Sequence, residues 1–390
     1  MTTRAARRKS ADRASDIARR ALALEAEVAS VIALPEFRDL AADVMEPAAF
    51  DYVDGGAWDE LTLADNEAAW LGFRLRPRVL VDVSRVDPSA RFLDGPTSLP
   101  VAIAPMAAHG LASPIGEVAT AAAAAAAGIP FTLSTMSTRS IEEVAAAAPD
   151  GIRWFQLYAQ ADPRRSRELV ERAAAAGYRA IVLTVDLPVL GFRERDRRNG
   201  FDLSVPLGNF GADGAGPSHA GHAAIDGESG YDVLDDDVAK NLTWESLAAI
   251  RSWSGLPLVV KGILTAEDAA LAVDHGVDAI VVSNHGGRQL DRVRPGIEAL
   301  ADIVAAVPGG TEIWVDGGVR RGLDVAIALG LGARGVLVGR PILWALAAGG
   351  QAGVERALAI LREEFEIAMR LLGTPTTADI SSAHVEAPGR

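Results

Sequence analysis

Residues 312–340 of the sequence are EIWVDGGVRRGLDVAIALGLGARGVLVGR, and they show the unit from which the fold is built. Two short apolar runs, residues 312–317 and 335–340, flank a segment with a helical pattern. Both runs are continuously apolar rather than alternating, as expected of parallel strands that are covered on both faces. This stretch therefore predicts a strand, a helix and a second, parallel strand.

The same unit recurs towards the N-terminus. Six further apolar runs occupy residues 99–104, 131–135, 153–158, 180–186, 258–262 and 279–284. Helix start signals between them are Ser140 with Glu143, Asp162 with Pro163, and Thr265 with Asp268. Eight β/α units in series predict an α/β fold, a closed (β/α)8 TIM barrel. An open doubly wound sheet is the alternative, but the first strand lacks a glycine-rich dinucleotide-binding turn.

Two segments depart from this repeating pattern. Residues 1–34 form a basic N-terminal extension, with the spacing of an amphipathic helix between residues 17 and 28. Residues 35–385 form one predicted barrel domain. Residues 204–240 follow the fourth strand, and residues 208–230 have almost no apolar content, which predicts a lid over the active-site face. We expect His219 and His222 in this lid to be exposed loop residues, so no metal site is predicted.

The composition excludes several classes of function. The chain has 390 residues and a formal net charge of −14, so it lacks the basic surface that binds nucleic-acid phosphates. It contains no cysteine, which excludes disulfides and cysteine nucleophiles and fits a reducing compartment. No apolar run reaches the length of a membrane span, and no apolar signal-peptide core follows the basic N-terminus. We expect a cytoplasmic protein without nucleic-acid or membrane partners.

Polar residues follow nearly every predicted strand, at the ends where a TIM barrel places its reactive side chains. The candidates in chain order are His109, Ser134, Gln156, Tyr158, Thr184, Asp186, Arg193, Lys261, Ser283, His285, Arg288, Asp316, Arg320 and Arg340. A purely structural face would not require polar groups at so many strand ends. Gln156 and Thr184, taken singly, also fit the role of capping a strand end.

The last two strand ends predict a phosphate site. The loops after strands seven and eight hold phosphate in many barrels. Here Gly317 and Gly318 allow a close backbone approach, and Arg320 and Arg340 supply positive charge. These residues favour a phosphorylated ligand.

The sixth strand end predicts acid–base chemistry on an anion. His285 lies in a glycine-rich turn three residues before Arg288, which suits a general base beside an anion-binding group. The forked guanidinium matches a carboxylate, and Arg193 offers a second one. Lys261 suits either the stabilisation of negative charge or a Schiff base.

These residues coincide with the motifs of a known family. From about residue 35 to 385 the chain resembles the FMN-dependent 2-hydroxy-acid oxidases and dehydrogenases, the family of glycolate oxidase and lactate oxidase. The shared motifs are FDY at residues 50–52 with Gly56 and Ala57, RPR at 76–78, WFQLY at 154–158, Lys261 with Gly262, SNHGGRQ at 283–289 and DGGVRR at 316–321. The last two are the most specific.

The resemblance implies FMN as cofactor and a small (S)-2-hydroxy acid, of the lactate, glycolate or mandelate kind, as substrate. It implies that Tyr52, Tyr158, Arg193 and Arg288 hold the substrate, that His285 is the base, that Asp186 orients His285, and that Lys261 stabilises charge on the reduced cofactor. It places FMN against Ala104, Pro105, Met106, Ala107, Ser134, Gln156, Thr184, Lys261, Ser283, Asp316 and Gly317, and its phosphate among Gly318, Arg320, Gly339 and Arg340. It also implies a homo-oligomer, namely a tetramer.

Two positions bear on the finer details of function. Met136 stands where glycolate oxidases have tryptophan and lactate oxidases have tyrosine, so the substrate within the class stays open. Ala107 matches the alanine of the oxidases rather than the glycine of lactate monooxygenase, so we expect oxygen turnover to give the 2-keto acid and H2O2. Dehydrogenation with a quinone or another non-oxygen acceptor, and lactate 2-monooxygenase activity, are the alternatives. Two rivals come from other classes: a Schiff-base lyase using Lys261, and an FMN-dependent isomerase.

Overall fold

Eight parallel strands form a closed barrel in the computed structural model, which describes residues 25–93, 95–203, 205–210, 238–307 and 309–389. The strands are β1 Val101–Ile103, β2 Phe131–Leu133, β3 Arg153–Leu157, β4 Ile181–Thr184, β5 Leu258–Ile263, β6 Ala279–Val282, β7 Glu312–Val315 and β8 Gly335–Val338. Each strand pairs with the next along the chain, and β8 pairs with β1. All eight predicted strands are therefore present, and the TIM-barrel prediction is confirmed.

Helices surround the barrel. Those that precede it include α1 Glu36–Val44, α2 Pro47–Asp54 and α3 Leu61–Ala68. The others are α4 Glu117–Ala127, α5 Ile141–Ala147, α6 Pro163–Ala175, α7 Glu194–Asn199, α8 Ser246–Ser252, α9 Ala266–Asp274, α10 Gly296–Ala306, α11 Gly322–Gly330 and α12 Arg340–Leu372. The three predicted helix starts are confirmed, since Ser140, Asp162 and Thr265 each accept a hydrogen bond from a backbone N–H of the first turn.

The N-terminal helices pack on the outside of the barrel next to its C-terminal strand ends. Helix α12 is kinked at Gly349 and Gly350, and it packs against both α1 and α4. Val28, Val31 and Leu34 are buried in the main core, so packing begins before α1. The boundary of the barrel domain at residue 35 stays a prediction.

Aromatic side chains fill the barrel interior at its N-terminal end. A hairpin of Ala90–Phe92 and Gly95–Thr97 lies there, and the Phe92 ring packs edge-to-face against two tryptophans. Trp154 of β3 and Trp314 of β7 are stacked with ring centroids 4.7 Å apart and are fully buried. A barrel filled in this way is a packed core rather than a pore, so ligands bind at its C-terminal face.

Two predictions concern parts of the chain that are only partly described. Most of the predicted lid, residues 204 and 211–237, and most of the N-terminal extension, residues 1–24, lie outside the described residues. The predicted roles of His219 and His222 lie outside them as well. Of the helices in the described ranges, none combines the length and the apolar character of a membrane span.

Candidate active site

A cleft opens at the C-terminal ends of the strands. Eighteen of the predicted site residues line it: Tyr52, Ala104, Pro105, Met106, Ala107, Ser134, Tyr158, Thr184, Arg193, Lys261, His285, Arg288, Asp316, Gly317, Gly318, Arg320, Gly339 and Arg340. Asp186, Gln156 and Ser283 do not line the cleft but are hydrogen bonded to residues that do. The structure therefore brings predicted residues from the strand ends and from helix α2 together around one cleft.

Six lining residues had not been predicted. They are Val53, Gly286, Val319, Leu337, Val338 and Leu343. Five are apolar and resemble ordinary core positions in the sequence, so no chemical signal distinguishes them. Gly286 could have been found, because it lies inside the motif that contains His285.

His285 is held by hydrogen bonds on two sides. Its backbone has a φ of +60°, a strained conformation for a residue with a side chain, and its N–H donates to Ser283 Oγ at 3.1 Å. Its ring Nδ1 lies 2.8 Å from Asp186 Oδ1, and its Nε2 lies 3.3 Å from the Tyr158 hydroxyl. The carboxylate fixes the proton on Nδ1, so Nε2 is the nitrogen that can accept a proton.

Burial and charge act in opposite directions on this pair. Burial lowers the pKa of His285, and Asp186 only partly opposes that shift. Burial disfavours the charged form of Asp186, but His285 and Lys261 outweigh it, so the pKa of Asp186 lies below its ordinary value. Burial therefore favours the neutral imidazole of His285, which is the state a general base requires.

Strand β5 approaches Asp186 closely at Gly262. The residue has a φ of +113°, and a Cβ there would lie 2.6 Å from the Asp186 side chain. The pairing register with β6 shifts at the same place, between Lys261 and Ile263. Glycine is therefore required at this position, and it brings the Lys261 backbone against the His285–Asp186 pair.

Lys261 is a buried cation with two partners. Its Nζ donates to Ser283 Oγ at 2.9 Å and lies 3.1 Å from Asp316 Oδ2. Burial acts against its charge, but Asp316 and Asp186 outweigh burial and raise its pKa. A nucleophilic lysine needs a lowered pKa, so this environment suits charge stabilisation and argues against a Schiff base.

Gln156 lies under the cleft with its amide orientation fixed. Its Oε1 accepts from Ser134 Oγ and from Thr135 N–H, both at 3.1 Å, and its Nε2 donates to Thr184 Oγ1 at 3.1 Å. This chain of polar groups crosses β2, β3 and β4 just below the cleft, so it can support a flat heteroaromatic ring above it.

Two arginines point towards one side of the cleft. Arg288 Nη1 donates to the carbonyls of Tyr52 at 2.7 Å and Gly55 at 2.9 Å. The guanidinium carbons of Arg288 and Arg193 lie 4.9 and 5.9 Å from the centre of the Tyr52 ring, which stacks on Phe201 at 4.5 Å. Two positive charges beside a tyrosine, one of them the buried Arg193, form a site for a small carboxylate.

A network of ion pairs joins the segment that carries Arg193 to helix α2. Arg195 lies 3.2 Å from Asp54 and 2.5 Å from Glu60, and Asp54 is also paired with Arg38 at 2.7 Å. Asp54 is buried, so losing its partners would leave an uncompensated charge. Through this network, Arg193 and Tyr52 are held at a fixed distance from each other.

A third arginine, Arg340, lines the same cleft and shares the Gly55 carbonyl with Arg288. Arg340 donates through Nε to the Asp54 carbonyl at 3.1 Å and through Nη2 to the Gly55 carbonyl at 2.7 Å. Burial, together with Arg288 and Arg320, lowers the pKa of Arg340 to about 9. A guanidinium perturbed to this extent is stabilised when an anion binds beside it.

The residues of the cleft fit FMN. The arginines suit its phosphate, and Lys261 with the Gln156 chain suits the polar edge of its ring. The buried Asp316 Oδ1 has no hydrogen-bond partner among the described residues, so it can accept from a ribityl hydroxyl. The cleft therefore offers partners for the phosphate, the ribityl chain and the ring of FMN.

Comparisons with known proteins agree with this geometry. The sequence profile of the family described as FMN-dependent dehydrogenase matches residues 41–387. An L-lactate oxidase of Nostoc sp. is 49% identical over 91% of this chain and 98% of its own length. The spinach glycolate oxidase, from Spinacia oleracea, is 45% identical over 90% and 95%. A crystal structure of mandelate oxidase with (S)-4-hydroxymandelic acid superposes with a TM-score of 0.86, at 45% identity, over 92% of this chain and 99% of that one.

Proposed function

The chain belongs to the FMN-dependent dehydrogenase family and oxidises a 2-hydroxy acid to the 2-keto acid with FMN, and we propose that the substrate reacts beside His285, between Arg193 and Arg288. The observation that carries the proposal is the hydrogen-bonded chain from Asp186 through His285 to Tyr158 beside these two arginines. FMN held in the cleft would supply the acceptor for the two electrons of the oxidation.

The two arginines orient the substrate. Their guanidiniums bind its carboxylate, and Tyr158 donates a hydrogen bond to it or to its hydroxyl. Burial raises the pKa of Tyr158, so this phenol stays a donor throughout the cycle. Holding the carboxylate at two points fixes the direction of the Cα–H bond, which is catalysis by positioning.

His285 then accepts a proton through Nε2. As the ring becomes an imidazolium, the adjacent Asp186 carboxylate stabilises its charge across the 2.8 Å contact. Lys261, kept protonated by Asp316 and Asp186, supplies positive charge near the polar edge of the cofactor ring. Whether the Cα hydrogen leaves as hydride or as a proton does not change these roles.

The substrate is proposed to be a small (S)-2-hydroxy acid of the lactate, glycolate or mandelate kind. Met136 is buried, and its carbonyl accepts a hydrogen bond from Ala108 N–H, so its backbone is fixed next to the cleft. Its side chain is buried in the core and does not line the cleft, so the structure favours none of the three substrates through this residue. Relative kcat/KM for lactate, glycolate and mandelate would rank them.

Oxygen is the proposed electron acceptor, and H2O2 the second product. Ala107 lines the cleft, and its methyl group takes up space beside the reacting centre. Less room favours early release of the 2-keto acid, before peroxide can attack it. The test is product analysis with catalase present: a shorter carboxylic acid would indicate lactate 2-monooxygenase activity. Negligible oxygen uptake with fast dye reduction would indicate a quinone or other non-oxygen acceptor.

We also infer that the chain works in the cytoplasm as a homo-oligomer, namely a tetramer. The absence of cysteine supports a reducing compartment. Light scattering of the purified chain at several concentrations tests the oligomer, and a monomer at all of them would refute it.

One experiment tests the core of the proposal. The purified protein should be yellow, and a 2-hydroxy acid should bleach it without oxygen. A colourless protein that borohydride inactivates only with substrate would be a Schiff-base lyase. A yellow protein that converts substrate without any net electron acceptor would be an isomerase. A His285→Gln variant that bleaches at the normal rate would remove His285 from the reaction.

A further inference from the structure

Helix α3 covers the phosphate end of the cleft. The side-chain amides of Asn66 and Asn284 donate to each other, at 2.9 and 2.8 Å, and Trp70 Nε1 donates to the Gly317 carbonyl at 2.9 Å. At Gly318 a Cβ would lie 1.8 Å from the Asn66 carbonyl oxygen, so the helix and the loop after β7 touch through their backbones. The helix is therefore a fixed wall of this end of the site.

This wall presents a carboxylate to an arginine of the site. Glu67 Oε1 accepts from Arg320 Nη2 at 2.5 Å. The Arg320 side chain is only 12% exposed, whereas that of Glu67 is 50% exposed. The ion pair thus lies at the boundary between cleft and solvent, with the arginine on the inner side.

Arg320 does not depend on Glu67 alone for its position. Its Nη1 donates to the Val319 carbonyl at 3.0 Å, and its guanidinium carbon lies 5.0 Å from the centre of the Trp344 ring. The indole and the carbonyl hold the guanidinium from two other sides. The negative charge of Glu67 is therefore not needed to keep Arg320 in place.

The negative charge of Glu67 acts on Arg340 as well as on Arg320. Burial disfavours the charged forms of Arg320 and Arg340, and Glu67 opposes this for both groups. A phosphate dianion between these arginines would meet the same carboxylate as a repulsive charge. At a given distance inside a protein, the repulsion between two like charges is as large as the attraction between two opposite charges.

We propose that Glu67 limits the affinity of the protein for FMN by competing with its phosphate for Arg320. This inference rests on the proposed function, in which Arg320 and Arg340 hold that phosphate. The physical basis is that the carboxylate neutralises one of the cations of the site while two other groups already fix that cation. Removal of the charge should strengthen FMN binding rather than weaken it.

Glu67→Gln isolates the charge, since the amide oxygen still accepts from Arg320. The full-length chain is freed of flavin, and FMN is titrated in while the quenching of its fluorescence is followed. Riboflavin, which lacks the phosphate, is titrated in parallel. We expect the variant to bind FMN about tenfold more tightly and riboflavin within about twofold of the wild type.

Two further variants make the outcome decisive. Asp59→Asn removes an exposed carboxylate paired with Arg292 at 2.8 Å and should leave both affinities unchanged. Arg340→Met should weaken FMN binding and leave riboflavin binding nearly unchanged. If Arg340→Met does not weaken FMN binding, the proposed phosphate site is wrong. If it does, but Glu67→Gln binds FMN no more tightly than the wild type, or gains equally for riboflavin, the inference about Glu67 alone is refuted.

Discussion

Replacement of Asp186 by asparagine should slow the reductive half-reaction and shift its pH dependence. The carboxylate oxygen lies 2.8 Å from His285 Nδ1, and the two side chains are only 13% and 15% exposed. Opposite charges about 4 Å apart attract by about 4 kcal/mol at an effective dielectric constant of about 20. Asparagine keeps the hydrogen-bond acceptor, so we expect a loss of about 1.4–4 kcal/mol, or about 10- to 1000-fold in rate.

The direction of the pH shift follows from the sign of this interaction. The base must be neutral to accept a proton, so the rate falls as the pH falls through the pKa of His285. Asp186 raises that pKa against the effect of burial. In the variant the pKa is lower still, so the acid limb of the pH profile should move to lower pH.

The assay is anaerobic stopped-flow reduction of the bound flavin, measured between about pH 5 and pH 9, a range that spans the ordinary titration of histidine. The visible flavin spectrum before mixing is the control for cofactor retention. A rate within twofold of the wild type together with an unmoved acid limb would show that Asp186 does not act through His285. An acid limb displaced to higher pH would contradict the assigned sign of the interaction.

Three further substitutions test the base, the carboxylate site and its support. His285→Gln should retain FMN and reduce it about 10²–10⁴-fold more slowly; near-normal reduction would contradict the assignment. Arg288→Lys should raise KM and slow reduction because an ammonium cannot reproduce the guanidinium fork. The carboxylate site would be refuted if the wild-type enzyme oxidised the substrate amide as fast as the acid. Arg195→Met should raise KM by about tenfold with kcat within twofold, since it holds the segment of Arg193 through partly buried ion pairs. Arg198→Met, on the same helix but in an exposed pair, is the matched control, and an equal effect of the two variants would remove Arg195 from this role.

The barrel and most of the site could be predicted because the signals are local. Continuous apolar runs, helix caps and polar residues at strand ends are each visible within a few neighbouring positions. The site follows from them, since the closed barrel brings all C-terminal strand ends to one face.

The remaining features depend on residues that are distant in the sequence. Nothing in the residues around Glu67 indicates that it meets Arg320, which is 253 positions away. The Arg195–Asp54 ion pair, between residues 141 positions apart, is hidden for the same reason. The residues around Phe92 do not indicate its role in the barrel interior either. Its contact with two tryptophans depends on how β3 and β7 face each other across the barrel.

The aromatic filling around Phe92 has a consequence for the order of events during turnover. Trp154 and Trp314 are stacked across the interior and fully buried, so among the described residues they close the N-terminal end of the barrel. We therefore expect dioxygen, the proposed acceptor, and the 2-keto acid to share the mouth of the cleft, moving in opposite directions. The time that the 2-keto acid stays bound in the cleft then determines whether it leaves before dioxygen enters. Excess 2-keto acid should therefore slow the oxidative half-reaction as well as the reductive one.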